Sequence, residues 1–357
     1  MNSEKHFKWL LYGANGYTGR LICIEAAKKG LKPILAGRNR IEIEALANQY
    51  GFDFKIFELD KQDGIENHLE GFDLVLHAAG PFVHTAEKMM DACLATGTHY
   101  LDITGEMEVF GMAAKRNKVA EVKNVMLMPG TGFDVVPTDC MAAILKEKMP
   151  QAQVLELAFV TLGGQISHGT AMSMTEKLGE GGASRIDGKI IKEPIGKVGK
   201  EIMVAGKTFF VMSIPWGDVF TAWFTTGIPN IRTYTGSKPS VYRILKLQEL
   251  FNPILRADWF KNWMRKKIGQ RPAGPSEEKR VKAKAYIWGQ VADASGKTAT
   301  AWFNCPEGYT LTALSSVAIV KKVMAGHFKA GYQTPAGCYG KGLVFELENV
   351  SQVQFTG

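Results

Sequence analysis

Three glycines spaced three residues apart, Gly13, Gly16 and Gly19 in the string LLYGANGYTGR, could hold a pyrophosphate. A turn that tight wants no Cβ at Gly13 and Gly16, and Gly19 lets the following helix lie close to the strand before it. Asn15, Tyr17 and Thr18 complete the turn and open that helix, whose free N–H groups and positive dipole end would receive the phosphates. The next apolar run ends ILAGRNR, which puts Arg38 and Arg40, and no carboxylate, where the 2′ position of an adenosine ribose would arrive. That favours NADP(H) over NAD; the competing reading is a solvated loop charge. Asp60, past the third apolar run, suits either a bond to the adenine amino group or a helix cap. Ala79, Gly80 and Pro81 in HAAGPF let the chain pass close to a ligand, or simply turn it. YLDITGE brings Asp102, Thr104 and Glu106 to another strand end, and MPGTGFDVVPTD adds a further glycine turn.

Reduction by a nicotinamide also needs a group that protonates or stabilises the developing anion. His168, in GGQISHGTAMS beside Ser167, Thr170 and Ser173, is the first candidate, because imidazole titrates in the useful range. A solvated loop histidine would read the same way. Arg185 and Arg232 could grip a carboxylate or phosphate, with Asp218 orienting one of them, or each could form an ordinary ion pair. Tyr-x-x-x-Lys occurs at Tyr234/Lys238 and Tyr242/Lys246. Both matches are discounted, as Gly236 and Pro239 break the first and the second lies outside the nucleotide half.

These residues sit at the ends of regularly alternating elements. Strands are expected at 7–12, 32–36, 54–59, 74–78, 100–103 and 125–128, with helices at 17–29, 41–50, 64–69, 85–95 and 107–117 between them. That alternation defines an α/β fold, a doubly wound parallel sheet of the Rossmann kind covering residues 1–135. Beyond it, longer strands at 154–161, 207–214, 281–291 and 299–303 alternate with glycine-rich loops and with helical patterns at 241–251 and 257–268. They imply a mixed α+β substrate domain over 136–308. A C-terminal segment, 309–357, opens with a helical pattern at 311–324 and has the option of returning to the first domain.

The 357 residues carry a net charge of +8, but ten Lys or Arg against three acids fall between Leu255 and Lys284, which leaves +1 for the other 327. Basicity that local argues against a nucleic-acid binder. Within it, Trp259, Phe260, Trp263 and Met264 recur at helical spacing among lysines and arginines. A helix of that composition over 251–268 suits peripheral contact with an anionic membrane, a lid over an apolar substrate, or plain packing with a basic outer face. Five cysteines without a CxxC pair suggest a reducing compartment and no structural zinc or other metal. No apolar run approaches eighteen residues, so a cytoplasmic protein without a transmembrane span is expected.

The ordered strings YGANGYTGRL, LAGRNR, AAGPF, YLDITGE and GTGFDVVPTD, continued by HGTAMS at 168–173, WGDVFTAWFTTGIPNIRTY at 216–234 and GPSEEKR at 274–280, resemble the saccharopine dehydrogenase-like family, including its mycobacterial-type trans-acting enoyl reductases. The resemblance runs over nearly the whole chain. It implies an NADP-dependent oxidoreductase whose mixed second domain covers the nicotinamide. The reaction expected is reduction of a C=C (enoyl) or C=N bond in a partly apolar small-molecule or acyl-type substrate. The alternative is a cofactor-binding sensor or membrane-associated scaffold without turnover. His77 stands where the family more usually has a small polar residue.

Overall fold

The computed structural model describes residues 7–59 and 62–356, which divide into two compact units. The first comprises the chain up to Thr104, Glu108–Gly132 and Thr312–Gln333; the second comprises Gly105–Met107, Phe133–Leu311 and the chain from Thr334. The sequence pattern places the first boundary after residue 135 and keeps the C-terminal segment whole from 309. In the structure that segment is shared between the two units.

In the first unit the elements alternate: β1 (Trp9–Tyr12), α1 (Tyr17–Lys28), β2 (Ile34–Gly37), α2 (Arg40–Tyr50), β3 (Phe54–Ile56), α3 (Gln62–Leu69), β4 (Leu74–His77), α4 (Phe82–Thr96), β5 (His99–Asp102), α5 (Met107–Lys115), α6 (Asn117–Val122) and β6 (Met126–Met128). Strand runs such as WLLY and LVLH are buried on both faces, the pattern of a parallel sheet covered by helices.

In the second unit come α7 (Val136–Lys148), β7 (Val154–Leu162), α8 (His168–Glu176), β8 (Gly182–Ile186), β9 (Lys189–Glu193), β10 (Gly199–Val204), β11 (Lys207–Ile214), α9 (Asp218–Thr226) and β12 (Asn230–Gly236). There follow α10 (Pro239–Leu245), α11 (Gln248–Arg256), α12 (Asp258–Gly269), α13 (Glu277–Lys282), β13 (Lys284–Ala292) and β14 (Thr298–Pro306). Helix α14 (Gly308–Met324) leads to β15 (Gly331–Tyr332) in the first unit, and α15 (Pro335–Tyr339), a 3-10 turn at Leu343–Glu346 and β16 (Gln354–Thr356) belong to the second.

The first sheet is wholly parallel, with strand order β15-β6-β5-β4-β1-β2-β3. Strand order reverses between β1 and β4, so the carboxyl ends of these two strands open the crevice where doubly wound sheets take ligands. Tyr12 pairs with His77 there, which puts the glycine turn after β1 beside the HAAGPF turn after β4.

The second sheet runs β10-β11-β12-β7-β13-β14-β16, antiparallel except at β12 and β7, with β8 and β9 branching from β12. Helix α7 covers one face. It comes so close at Gly289 that a Cβ there would lie 2.6 Å from Leu145 and 2.7 Å from Met141. The other face buries Ala158, Val160, Tyr234 and Trp288 beneath Ile202, Val204 and Val211. Among the described residues no helix is long and apolar enough to cross a membrane.

The strand expected at 281–291 starts only at Lys284, because Ser276 caps a short helix, α13, through the Lys279 N–H. The helix expected at 241–251 is two helices, α10 and α11, which meet near Lys246 and Leu247.

Candidate active site

The dinucleotide turn has the geometry its spacing implies. Gly13 has φ +82°, and a Cβ on it would fall 2.8 Å from both the backbone N and the Cβ of Ala79, so only glycine lets the ends of β1 and β4 touch. A Cβ on Gly19 would lie 2.3 Å from the Gly13 carbonyl oxygen. Helix α1 follows Gly16, an N-cap that offers no side-chain bond to the helix, and has no acid in its first turn, which suits an anion.

His77 sets the other wall. It is fully buried, and burial pushes its pKa down to about 3, so the ring is neutral. Thr85 Oγ1 donates to the Ala79 carbonyl at 2.8 Å, so His77 Nε2 is the donor in its 2.9 Å bond to that hydroxyl. His77 thus holds the Ala79–Pro81 turn in place through Thr85 and takes no part in acid–base chemistry.

Arg38 and Arg40 are exposed at the end of β2, and among the described residues neither makes an ion pair or side-chain hydrogen bond. The expectation that this edge has no carboxylate needs correcting. Asn39 caps α2 through the Glu42 N–H and donates to Glu42 Oε1 at 2.7 Å, while Asn15 and Arg20 each reach Glu42 Oε2 at 3.3 Å. Glu42 is therefore neutralised by Arg20, and both other guanidiniums stay free. Asn15 serves this cluster as well as the turn. Asp60 lies outside the described residues.

Asp102 has a structural role. Its Oδ1 accepts from the Thr104 and Gly130 N–H groups, both at 2.9 Å, and its Oδ2 from Tyr100 Oη at 2.7 Å, which joins the ends of β5 and β6.

The second unit gathers four acids drawn from three parts of the sequence. Glu106 is buried and accepts a 2.8 Å bond from Ser173 Oγ. Asp134 keeps part of its surface accessible, yet its surroundings push its pKa up to about 7, first through desolvation and then through the charge of Glu106. It packs so tightly on Gly105 that a Cβ there would lie 2.5 Å from Asp134 Oδ2. Asp139 is fully buried, with its pKa raised to about 6 by desolvation; bonds from Thr225 at 2.5 Å and from the Ala336 N–H at 2.7 Å pull the other way. Asp218 is raised well above the usual carboxylate range by desolvation, with the charges of Asp139 and Asp134 adding to it. Thr138 Oγ1 donates to its Oδ2 at 2.9 Å, and among the described residues its buried Oδ1 has no side-chain hydrogen-bond partner. The sequence singled out Asp218 and Glu106 but passed over Asp134 and Asp139. Both stand in GTGFDVVPTD, where the glycine turn drew notice and the acids did not.

The other candidates are engaged elsewhere. His168 opens α8, bonds the Arg271 carbonyl through Nε2 at 2.6 Å, and is tied again by its own N–H to the Ala273 carbonyl at 2.9 Å. Arg185 is buried, donates to the Val219 and Gly188 carbonyls at 3.0 and 2.6 Å, and lies over the rings of Phe220 and Trp223. Arg232 pairs with Glu193 at 3.2 Å. Tyr234 donates to Glu156, and burial beside that carboxylate pushes its phenol up, so it is no base; Tyr242 packs on Phe210.

A parallel sheet with strand order 3-2-1-4-5-6, a glycine turn at its switch point and an uncapped helix beyond it define a dinucleotide-binding unit. Residues 9–128 match the family model described as the saccharopine dehydrogenase NADP binding domain. The first unit is thus an NADP-binding domain of the saccharopine dehydrogenase type, and the glycine cradle and free arginines fit that cofactor.

A saccharopine dehydrogenase-like oxidoreductase of Bos taurus is 25% identical over 179 residues, 44% of this chain and 42% of its own length. A Mycobacterium tuberculosis protein, provisionally named a trans-acting enoyl reductase, is 27% identical over 189 residues, 49% of this chain and 45% of its own length. The chain spans less than half the length of these curated relatives. Among solved structures, apo saccharopine dehydrogenase (L-Glu forming) from Saccharomyces cerevisiae superposes with a TM-score of 0.68 over 98% of this chain and 100% of that one, at 12% identity. That likeness is one of fold.

Proposed function

We propose that the protein is an NADP(H)-dependent oxidoreductase that reduces a C=C (enoyl) or C=N bond in a partly apolar substrate. The observation that carries this reading is the glycine turn at the switch point together with two unpaired guanidiniums at the end of β2. Arg38 and Arg40 recognise the 2′-phosphate through charge-assisted hydrogen bonds, each contributing roughly 1.5–3 kcal/mol when well placed. Gly13, Gly16 and the first turn of α1 hold the pyrophosphate, and His77 with Thr85 keeps the Ala79–Pro81 turn clear of it. The bound nicotinamide supplies the hydride. Within the second unit, Asp134 is the candidate to supply the proton that neutralises the developing anion: its pKa is raised to about 7 and part of its surface is accessible. Asp139 and Asp218, fully buried, hold α7, α9 and α15 together around it.

Calorimetric titration tests the cofactor assignment. The wild type should bind NADPH at least about tenfold more tightly than NADH, the factor that 1.4 kcal/mol supplies. Arg38→Ala should remove most of that preference with little change for NADH, and Arg40→Ala should remove less. Equal affinities in the wild type would refute the assignment. Mass spectrometry of ligand that copurifies with the protein identifies the substrate class. Tight NADPH binding with no oxidation across enoyl and imine panels would make the protein a sensor instead.

A further inference from the structure

Helix α12 is turned inside out. At about 100° per residue, Trp259 and Trp263 share one side of the helix, flanked by Lys266 and Lys267, while Lys261, Arg265 and Ile268 share the opposite side. The packing follows that division. Ile268 is buried, Lys261 Nζ donates to the Glu176 carbonyl at 2.6 Å, and Arg265 pairs with the Glu176 carboxylate at 2.8 Å. Arg256, just before α12, donates to the Gly179 carbonyl at 2.8 Å. These three cations serve the carbonyls and the acid at the end of α8. The tryptophans point away from the unit, Trp259 at 66% exposure and Trp263 at 49%. A helix that only covers its own unit does the reverse, with apolar residues inward and cations in water. Ile244, Leu247, Phe251 and Ile254, on and between the neighbouring α10 and α11, are exposed as well.

Charge identifies the occupant of this face. Lys266, Lys267 and Arg271 are exposed and, among the described residues, have no ion-pair partner. They belong to the stretch in which ten cations meet three acids. The core of a protein–protein interface is depleted of lysine, whereas a lipid headgroup layer takes tryptophan at its apolar boundary and lysine at its anionic surface.

We propose that α10, α11 and α12 dock on an anionic lipid surface. Trp259 and Trp263 enter at the headgroup boundary, and Lys266, Lys267 and Arg271 meet the headgroups. The bonds from Lys261, Arg265 and Arg256 to the end of α8 fix the helix with its aromatic side outward.

Sedimentation of the full chain with vesicles of phosphatidylcholine, alone or with about 30% phosphatidylserine, tests this. Partition onto the anionic vesicles should be at least about tenfold stronger and should fall as salt rises from about 0.1 to 0.5 M. The Trp259→Ala/Trp263→Ala variant should lose the partition. Lys266→Glu/Lys267→Glu should lose the salt-sensitive share. Both should keep the wild-type melting temperature and NADPH affinity, because the altered side chains are exposed. Equal sedimentation with both vesicles, or none with either, would overturn the proposal. So would a wild-type dimer that the double tryptophan variant converts to monomer, which would make a second copy of the chain the occupant.

Discussion

Asp134 combines burial enough to raise its pKa with access enough to exchange a proton. An aspartate whose pKa rises from 3.8 to about 7 on folding holds its proton more tightly in the native chain than in the unfolded one. The contribution of Asp134 to stability is therefore full below about pH 4, falls as pH climbs to about 7, and levels off above that. Asp139, raised to about 6, acts in the same sense over a narrower window. Melting temperature measured against pH should decline between about pH 5 and 7.5, and Asp134→Asn should flatten the upper part of that decline. If Asp134 supplies the proton, kcat falls above about pH 7, and Asp134→Asn lowers kcat and kcat/KM by a common factor of about 10²–10⁴ while NADPH affinity stays put. Wild-type turnover in that variant would remove Asp134 from the mechanism.

Among single residues, Arg38 and Arg40 were legible as exposed cations just past the second strand, because a strand's end can be read from its apolar run. Glu42 was not, since its approach to that edge depends on how Asn39 caps α2.

At the scale of elements, α8 joins the loop at 271–273 through His168. With Nε2 committed to the Arg271 carbonyl, that imidazole anchors the start of α8, and His168→Ala should speed amide exchange there and in the facing loop. A proton-donating role would instead lower kcat and kcat/KM equally with exchange unchanged, so the two measurements together separate tether from catalyst.

The first unit's strands were legible as short apolar runs, because both faces of a parallel sheet are buried. Helix α7 was hidden by GTGFDVVPTD, whose glycines and Pro137 read as a turn. Pro137 in fact occupies the first helical turn, where its missing N–H does no harm. Strands β8 and β9 escaped notice because most of β9 is exposed and β8 has little apolar alternation.

At the scale of the molecule, the first unit is completed by a segment that lies almost two hundred residues later in the chain. Gly331 and Tyr332 of β15 pair with Met126 and Leu127, Thr131 bonds Ser316 at 3.1 Å, and Val317, Val320 and Val323 are buried. Each such valine contributes roughly 1.5–3 kcal/mol by burial. A fragment ending at residue 132 should thus unfold at markedly lower urea than one in which residues 312–333 are joined to it, and only the joined form should bind NADPH with full affinity. Equal midpoints would show that the segment adds no stability.

The sequence by itself determined the α/β alternation, the glycine turn and the arginines beside it. Each of these is a local matter of backbone freedom, periodicity or charge at the end of a strand. Tertiary structure alone decided that Asp134, Asp139, Asp218 and Glu106 share one environment, that Glu42 is neutralised by Arg20, and that α12 turns its tryptophans outward. Those outcomes depend on residues far apart in the chain: a carboxyl's pKa follows from the groups that exclude water around it, and a helix's outward side follows from what its inward side can bond.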